Sequence, residues 1–295
     1  YVLLRELGRG AFGAVYLARD VESGLLVAIK TLPPQVIHSP DELETVKENF
    51  ALVSKLKHPH IAANDHLHKV QNVKLNKPSV YIEKNDYILV MEYVEGTTIA
   101  SWRRQFPDKK VPYEKALLVC SQVAQALDYA HSKKIMHRDI KPGNIMIAAD
   151  DEAKVLDFGL AAEIRSSMSR VSTDTGSSSG TRPYMAPEQL LGKSQNHLSD
   201  QYALAVLFYE LISGLVPFQS IFDTNDLGLM MQVVPNQQAE ALEELDKRQN
   251  SMLLKALAKE KEDRFESCQD FVEALQNRSF KASGKRNKTK NPSGS

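Results

Sequence analysis

The sequence predicts an α+β protein built as two lobes, a small β-rich one followed by a larger, mainly helical one. Three observations predict it. The first third of the chain carries β-branched and aromatic runs separated by glycine-containing turns. From Pro112 onward, apolar residues recur at helical spacing. Between the two regimes stands Glu95-Gly96, a natural boundary. At 295 residues the chain can bury a large core without disulfide or metal staples, and 42% hydrophobic with 25% charged residues is the make-up of an ordinary globular protein.

In chain order, Tyr1 to Leu7, Ala14 to Arg19 and Leu25 to Thr31 read as an antiparallel meander, with Gly-rich and Glu22-Ser23-Gly24 turns between the strands. A helix is predicted from Pro40 to Lys57. Ser39 supplies an N-cap, Pro40 the first helical position and Glu42 a capping-box acid, while Leu43, Val46, Phe50 and Val53 step at helical spacing. His58-Pro59 ends it. Two more strands are expected around Val80 to Ile82 and Tyr87 to Tyr93. In the second lobe Ala116, Cys120, Val123, Leu127 and Ala130 form one apolar helical face. Further helices are expected at about Asp200 to Ser213, Gln249 to Ala258 and Cys268 to Gln276, and a strand at Ala153 to Leu156. The Ser/Thr-rich stretch Ser166 to Ser179 is too polar to pack and reads as a mobile loop.

Lys+Arg 37 balances Asp+Glu 37, so no whole-molecule field argues for nucleic acid or an anionic membrane. The balance is uneven: residues 278 to 295 hold six basic residues and no acid, leaving residues 1 to 277 at about −6. That tail, from 277 on, reads as a basic disordered linker, which would touch anionic lipid only through a membrane anchor outside this chain. Cys120 and Cys268 lack metal or redox spacing and read as buried thiols. The apolar run Tyr202 to Tyr209 is too short to cross a bilayer. With no signal peptide before Tyr1, and a start in mid-strand, the sequence reads as an excised domain exposed to the cytoplasm.

Gly8-Arg9-Gly10-Ala11-Phe12-Gly13-Ala14-Val15 is a G-x-G-x-x-G-x-V string, which alone fits a dinucleotide-binding turn or a plain hairpin. The β-like residues that follow, and then Val27-Ala28-Ile29-Lys30, favour strand-turn-strand. Glycines there let backbone approach phosphates closely, and Lys30 can neutralise them. His137-Arg138-Asp139-Ile140-Lys141-Pro142-Gly143-Asn144 pairs an Asp able to accept a hydroxyl proton with an Asn able to reach magnesium. Asp157-Phe158-Gly159 adds a carboxylate for Mg²⁺, and Ala186-Pro187-Glu188 closes the polar loop. His58, His60, His66 and His68 lack accompanying acids or cysteines and read as structural or solvated, in a loop; Trp102 reads as a packing aromatic.

In this order the motifs resemble the protein kinase family, and Tyr184-Met185-Ala186-Pro187-Glu188-Gln189 with Ser199-Asp200-Gln201-Tyr202 resembles the bacterial Hanks-type serine/threonine kinases. The resemblance covers residues 1 to 276. It implies a bilobal protein kinase fold, with an N-lobe of about 1–95 holding one main helix and a C-lobe of about 96–276. It also implies ATP and Mg²⁺ in the cleft between them. Leu7 to Val15, Ala28, Lys30, Met91, Glu92, Val94 and Met146 would surround ATP: Met91 as gatekeeper, Glu92-Tyr93-Val94 as hinge, and Val15, Ala28 and Met146 as the apolar sandwich for adenine. Asp139, Lys141 and Lys30 would act in catalysis, and Asn144 and Asp157 would hold metal. Asp200 would hold the catalytic-loop backbone and Arg264 would pair with Glu188. Lys141 and Thr181 imply serine/threonine rather than tyrosine acceptors on protein substrates. Thr173 and Thr175, shortly before Gly180-Thr181, are the candidate autophosphorylation sites, reached by self-association.

One family feature is missing: the helix acid that pairs with the strand lysine. Alignment by Val53, Leu56 and His58-Pro59 puts Asn49 there, with Glu48 next to it. At about 100° per residue, Asn49 lies roughly 50° from the centre of the apolar stripe and Glu48 roughly 150° away. The alternative to an active enzyme is therefore a pseudokinase that binds nucleotide as a scaffold. A small-molecule kinase on a related fold fits less well, because Gly180-Thr181 and Ala186-Pro187-Glu188 form the segment that receives peptides in the family.

Overall fold

The computed structural model describes residues 1–10, 13–72, 82–158 and 181–276. Ala11, Phe12, Gly159, Thr173, Thr175, the loop 166–179 and the tail from 277 lie outside the described residues.

The chain opens with β1 (Val2–Gly10), β2 (Gly13–Arg19) and β3 (Leu26–Thr31), then α1 (Pro34–Ile37), α2 (Pro40–Val53), β4 (Asn64–Lys69) and β5 (Tyr87–Glu92). The five strands form one antiparallel sheet in the order β1-β2-β3-β5-β4. Alternation splits its residues between two layers. Ala14, Tyr16, Ala18, Ile29, Ile88 and Val90 pack with Ile82 in an outer cluster, whereas Leu89 faces the main core with Val46 and Val53 of α2. Gly13 is obligatory: its φ is +111°, and a Cβ there would lie 2.3 Å from the Thr31 carbonyl oxygen.

Beyond Gly96 come β6 (Thr97–Thr98), α3 (Ile99–Trp102), α4 (Tyr113–Ser132), β7 (Ile145–Ile147) and β8 (Ala153–Val155). Then follow α5 (Pro187–Leu190), α6 (His197–Ser213), α7 (Gln219–Asp223), α8 (Leu227–Val233), α9 (Lys247–Ala256) and α10 (Cys268–Gln276). Helix α6 is buried along almost its whole length, from Ser199 to Ile212, which explains why its sequence is apolar on every face. Asn196 caps its start and Gly214, in the left-handed region, ends it. Helices α4 and α10 pack on it, with Cys120 and Cys268 both buried as free thiols. The two lobes are stitched by backbone: Ala62 N–H donates to Val155 O at 3.0 Å and Val155 N–H to His60 O at 2.9 Å. No helix among the described residues is long and apolar enough to cross a membrane.

Several expectations are corrected. Ile82 is not in a strand, and the partner of β5 is instead Asn64–Lys69, a polar, mostly exposed edge strand held by backbone pairing rather than by apolar alternation. His66 and His68 therefore sit on a strand, their rings stacked at 5.2 Å. Ser39 has extended N-cap geometry and Pro40 follows it, yet its side chain makes no capping hydrogen bond. Helix α2 stops at Val53, four residues short of Lys57. Lys55 and Leu56 turn back on Leu52 and Val53 through i→i−3 bonds, which drives Leu56 into the core.

Arg264 and Glu188 form the ion pair expected of them. The guanidinium donates to both carboxylate oxygens at 2.9 and 2.8 Å, and to the carbonyls of Ala258 and Leu198 at 2.9 Å. The arginine side chain is fully buried. Removing it strands a buried carboxylate, so Arg264→Ala should cost about 3–5 kcal/mol. A urea melt reads this as a fall in midpoint at unchanged slope; a midpoint equal to wild type would show that the pair carries no stability.

Candidate active site

The loop joining α4 to β7 is fixed by one buried carboxylate. Asp200 on α6 accepts the backbone N–H of His137 at 2.8 Å and of Arg138 at 2.7 Å, and the Nε2 proton of His131 at 2.8 Å. Arg138 needs this restraint, because its φ of +65° is unfavourable for a side-chain-bearing residue. The side chain of His137 then continues the chain of contacts. Its Nδ1 accepts the Asp139 N–H at 3.2 Å, so the ring proton lies on Nε2 and is donated to Leu156 O at 2.8 Å. The same ring meets Phe158 edge-on at 4.8 Å. Asp157, between Leu156 and Phe158, also has a positive φ, +57°. Its Oδ2 accepts from Lys30 Nζ at 2.6 Å.

Asp139 is 4% exposed. Its Oδ2 accepts from Asn144 Nδ2 at 2.9 Å and lies 3.0 Å from Lys141 Nζ, which also donates to Thr181 Oγ1 at 2.7 Å. Asn144 spends its amide nitrogen on Asp139, both Oδ2 and the main-chain carbonyl, so its Oδ1 is left to accept elsewhere. A carbonyl from Asn144 and a carboxylate from Asp157, lining one cleft, are the hard oxygen donors that suit magnesium.

That cleft, about 750 Å³, lies between the lobes. Leu7, Gly8, Arg9, Gly10, Gly13, Val15, Ala28, Lys30, Met91, Glu92, Val94, Lys141, Asn144, Met146 and Asp157 all line it. Asp139 sits just beyond its edge, joined to it through Asn144 and Lys141. Ala14 does not line it. The alternation of β2 turns this residue, 3% exposed, into the outer cluster, so its place among the cleft residues is corrected. Ala62, Asn64, Thr98 and Leu156 line the cleft as well and were not singled out in the sequence, because nothing in their local pattern marks them. Asn64 Oδ1 is buried without a hydrogen-bond partner.

Helix α2 presents no carboxylate to Lys30. Glu48 is exposed and Asn49 half-buried, as the helical wheel requires, and the ion-pair partner of Lys30 among the described residues is Asp157. Of the histidines, His60 Nδ1 bonds Ala153 O at 3.0 Å and His58 stacks on Tyr129 at 5.2 Å, which makes both of them structural.

Two buried groups have displaced titrations behind the loop. Burial opposes charge on His131, but the carboxylates of Asp128, 3.7 Å from Nδ1, and of Asp200, hydrogen-bonded to Nε2, outweigh that and raise its pKa to about 9. Burial likewise opposes charge on Asp200, and the bonds from His131 and the His137 amide outweigh it, lowering its pKa. Because the folded-state value of His131 lies above its unfolded value of about 6.5, its contribution is complete below that pH and is lost as pH rises towards 9. The difference in stability between wild type and His131→Gln should thus shrink by up to about 3 kcal/mol between pH 6 and 9.5. Denaturant melts across that range check it; a constant difference would mean that His131 is neutral in the fold.

The sequence model of the protein kinase domain matches residues 1–278. Serine/threonine-protein kinase Pkn1 of Myxococcus xanthus is 33% identical over 93% of this chain, and PknF of Mycobacterium tuberculosis 32% identical over 94%. The chain spans 37% and 56% of those relatives' own lengths. The crystal structure of the Mycobacterium tuberculosis PknI kinase domain is similar with a TM-score of 0.69 at 26% identity, over 94% of this chain and 95% of that one.

Proposed function

The chain belongs to the protein kinase family, and from that premise we propose that residues 1–276 are the catalytic domain of a serine/threonine protein kinase, moving the γ-phosphoryl group of ATP to Ser or Thr hydroxyls of proteins. The observation that carries this reading is the linked set Lys30–Asp157 and Asn144–Asp139–Lys141. Contacts of 2.6 to 3.0 Å hold these groups in one cleft and, for Asp139, just beyond its edge. Phosphoryl transfer needs positioning and charge neutralisation more than covalent help, and this set supplies both.

Asp139 accepts the hydroxyl proton as the acceptor oxygen bonds to phosphorus. The bridging P–O bond of the donor breaks, ADP leaves, and the proton passes on to solvent. Lys141 lies against Asp139 and Thr181, where it can steady the group in flight. Lys30 faces the α- and β-phosphates, and the backbone of Gly8, Gly10 and Gly13 covers them. Val15, Ala28, Leu7 and Met146 give apolar faces to adenine, with Met91 behind it and the Glu92–Val94 backbone at its edge. Asn144 and Asp157 would hold magnesium, which would neutralise charge on the phosphate oxygens. Autophosphorylation of the segment between Asp157 and Glu188, at Thr173 or Thr175 and presented by a second copy, belongs to the same proposal and rests on sequence position.

Two outcomes test the reading. Asp139→Asn should lower the rate of transfer to a generic protein substrate by about 10²–10⁴-fold while MgATP binding is retained. An unchanged rate would mean that the reacting hydroxyl lies elsewhere. The second concerns the missing acid: Lys30→Ala should be severe, Glu48→Ala nearly silent, and Asn49→Glu neutral or activating. Assays on the three variants decide it. A loss in Glu48→Ala as large as that in Lys30→Ala would mean that α2 turns during catalysis to make the ion pair that this structure lacks.

A further inference from the structure

Beside the catalytic loop lies a second cavity, about 390 Å³, whose walls are strongly cationic. It opens between the turn after α3 and the segment Lys141–Gly143, so its floor is continuous with the residues that hold Asp139. Arg103, Arg104, Lys109 and Lys141 line it against a single acid, Glu210. That acid is already committed. It lies 2.7 Å from Arg103 and accepts from the Tyr184 hydroxyl at 2.5 Å, and it is almost fully buried. Arg103 is committed too, donating also to the carbonyls of Glu210 and Gly214. Arg104 and Lys109 are different: both are exposed, and neither side chain makes a hydrogen bond or ion pair among the described residues. Gly143, between Lys141 and Asn144, adds no side chain, so the two free cations face a site open to the acceptor position.

Resting on the proposed kinase reading, we propose that this cavity is a subsite for an anionic residue next to the phosphoacceptor. The domain then prefers Ser or Thr flanked by a carboxylate or by a phosphorylated residue, with Arg104 and Lys109 setting the preference. Two exposed cations lining the same cavity as Lys141 attract an anionic flank and repel a cationic one. Gly143 and the engaged Glu210 offer nothing that would bind a basic flank. The chain's own candidate acceptors fit: Asp174 stands between Thr173 and Thr175, so each has a carboxylate neighbour, and phosphate on one would add charge beside the other.

The test uses the purified chain with MgATP and four peptides that share one Thr acceptor, flanked by Asp, by phosphothreonine, by Ala or by Lys. The Asp-flanked peptide should exceed the Ala-flanked one by about tenfold in kcat/KM, through KM, and the margin should narrow as salt is raised. The phosphothreonine peptide shows whether phosphate serves as well as carboxylate. Arg104→Glu with Lys109→Glu should reverse the order of the Asp and Lys peptides, and Arg104→Gln with Lys109→Gln should level them. If wild type treats the Asp and Lys peptides alike, or if the charge reversal leaves the Asp preference intact, the subsite is overturned while turnover that Asp139→Asn abolishes keeps the kinase reading. If wild type labels none of the four peptides and no generic protein, the kinase reading falls and the subsite with it.

Discussion

Everything at the active site hangs on the burial of Asp200. A carboxylate 2% exposed in the first turn of a buried helix is tolerable only if its oxygens are fully engaged, and three donors engage them. Two of those donors are consecutive backbone amides, so the same bonds that satisfy the charge hold a turn that Arg138 would not adopt unaided. The constraint then propagates. The amide of His137 is fixed, its ring is fixed by Asp139 N–H and Leu156 O, and through Leu156 and Phe158 the position of Asp157 follows. Helix α6 reads as a hydrophobic rod, yet its first turn carries the carboxylate of Asp200 to a place where the backbone needs it.

The sequence made much of this legible because the residues that carry chemistry sit in short, rigid strings. His137 to Asn144 and Asp157-Phe158 are each too short to hide their spacing, and the fold ties them together through Leu156, which donates to Asn144 O and accepts from His137 Nε2. Long, strongly periodic elements were legible for the same reason: α4, α6 and α10 follow from apolar stripes or runs. What stayed hidden depends on tertiary context. Strand β4, Asn-Asp-His-Leu-His-Lys, has almost no apolar alternation, and its existence rests on hydrogen bonds offered by β5. Ala62 and Asn64 enter the cleft only because that pairing sets Asn64 opposite Met91. Ala14 fell on the wrong side of its strand because a motif match says which residues are consecutive, whereas the pleat decides which of them face the ligand.

The absent helix acid changes how the N-lobe is held. No acid of α2 pairs with Lys30, so α2 is secured by apolar packing of Val46 and Val53 and by no ion pair to β3. Lys30 turns instead to Asp157, in a pair whose side chains are 8% and 18% exposed. Such a pair would be costly to break by removing one member. On the proposed function it is not broken but exchanged. The ammonium trades a carboxylate for phosphate oxygens and the carboxylate trades an ammonium for a divalent cation, so each charge keeps a partner of opposite sign.

The cationic groove extends the same bookkeeping to the polypeptide side of the reaction. Within residues 1 to 277 acids outnumber bases, yet the wall next to Lys141 carries two exposed cations whose side chains make no hydrogen bond or ion pair among the described residues. Leaving Arg104 and Lys109 solvated costs the fold nothing, since exposed charges need no partner. Their placement is thus free of any structural demand, in contrast to Arg103, whose guanidinium holds Glu210 and two carbonyls. Of the three basic residues that this stretch gives to the cavity, one builds its wall and two leave their charges exposed in it. An arrangement that stability does not require, in the cavity that Lys141 also lines, is where selection for substrate rather than for folding would leave its mark.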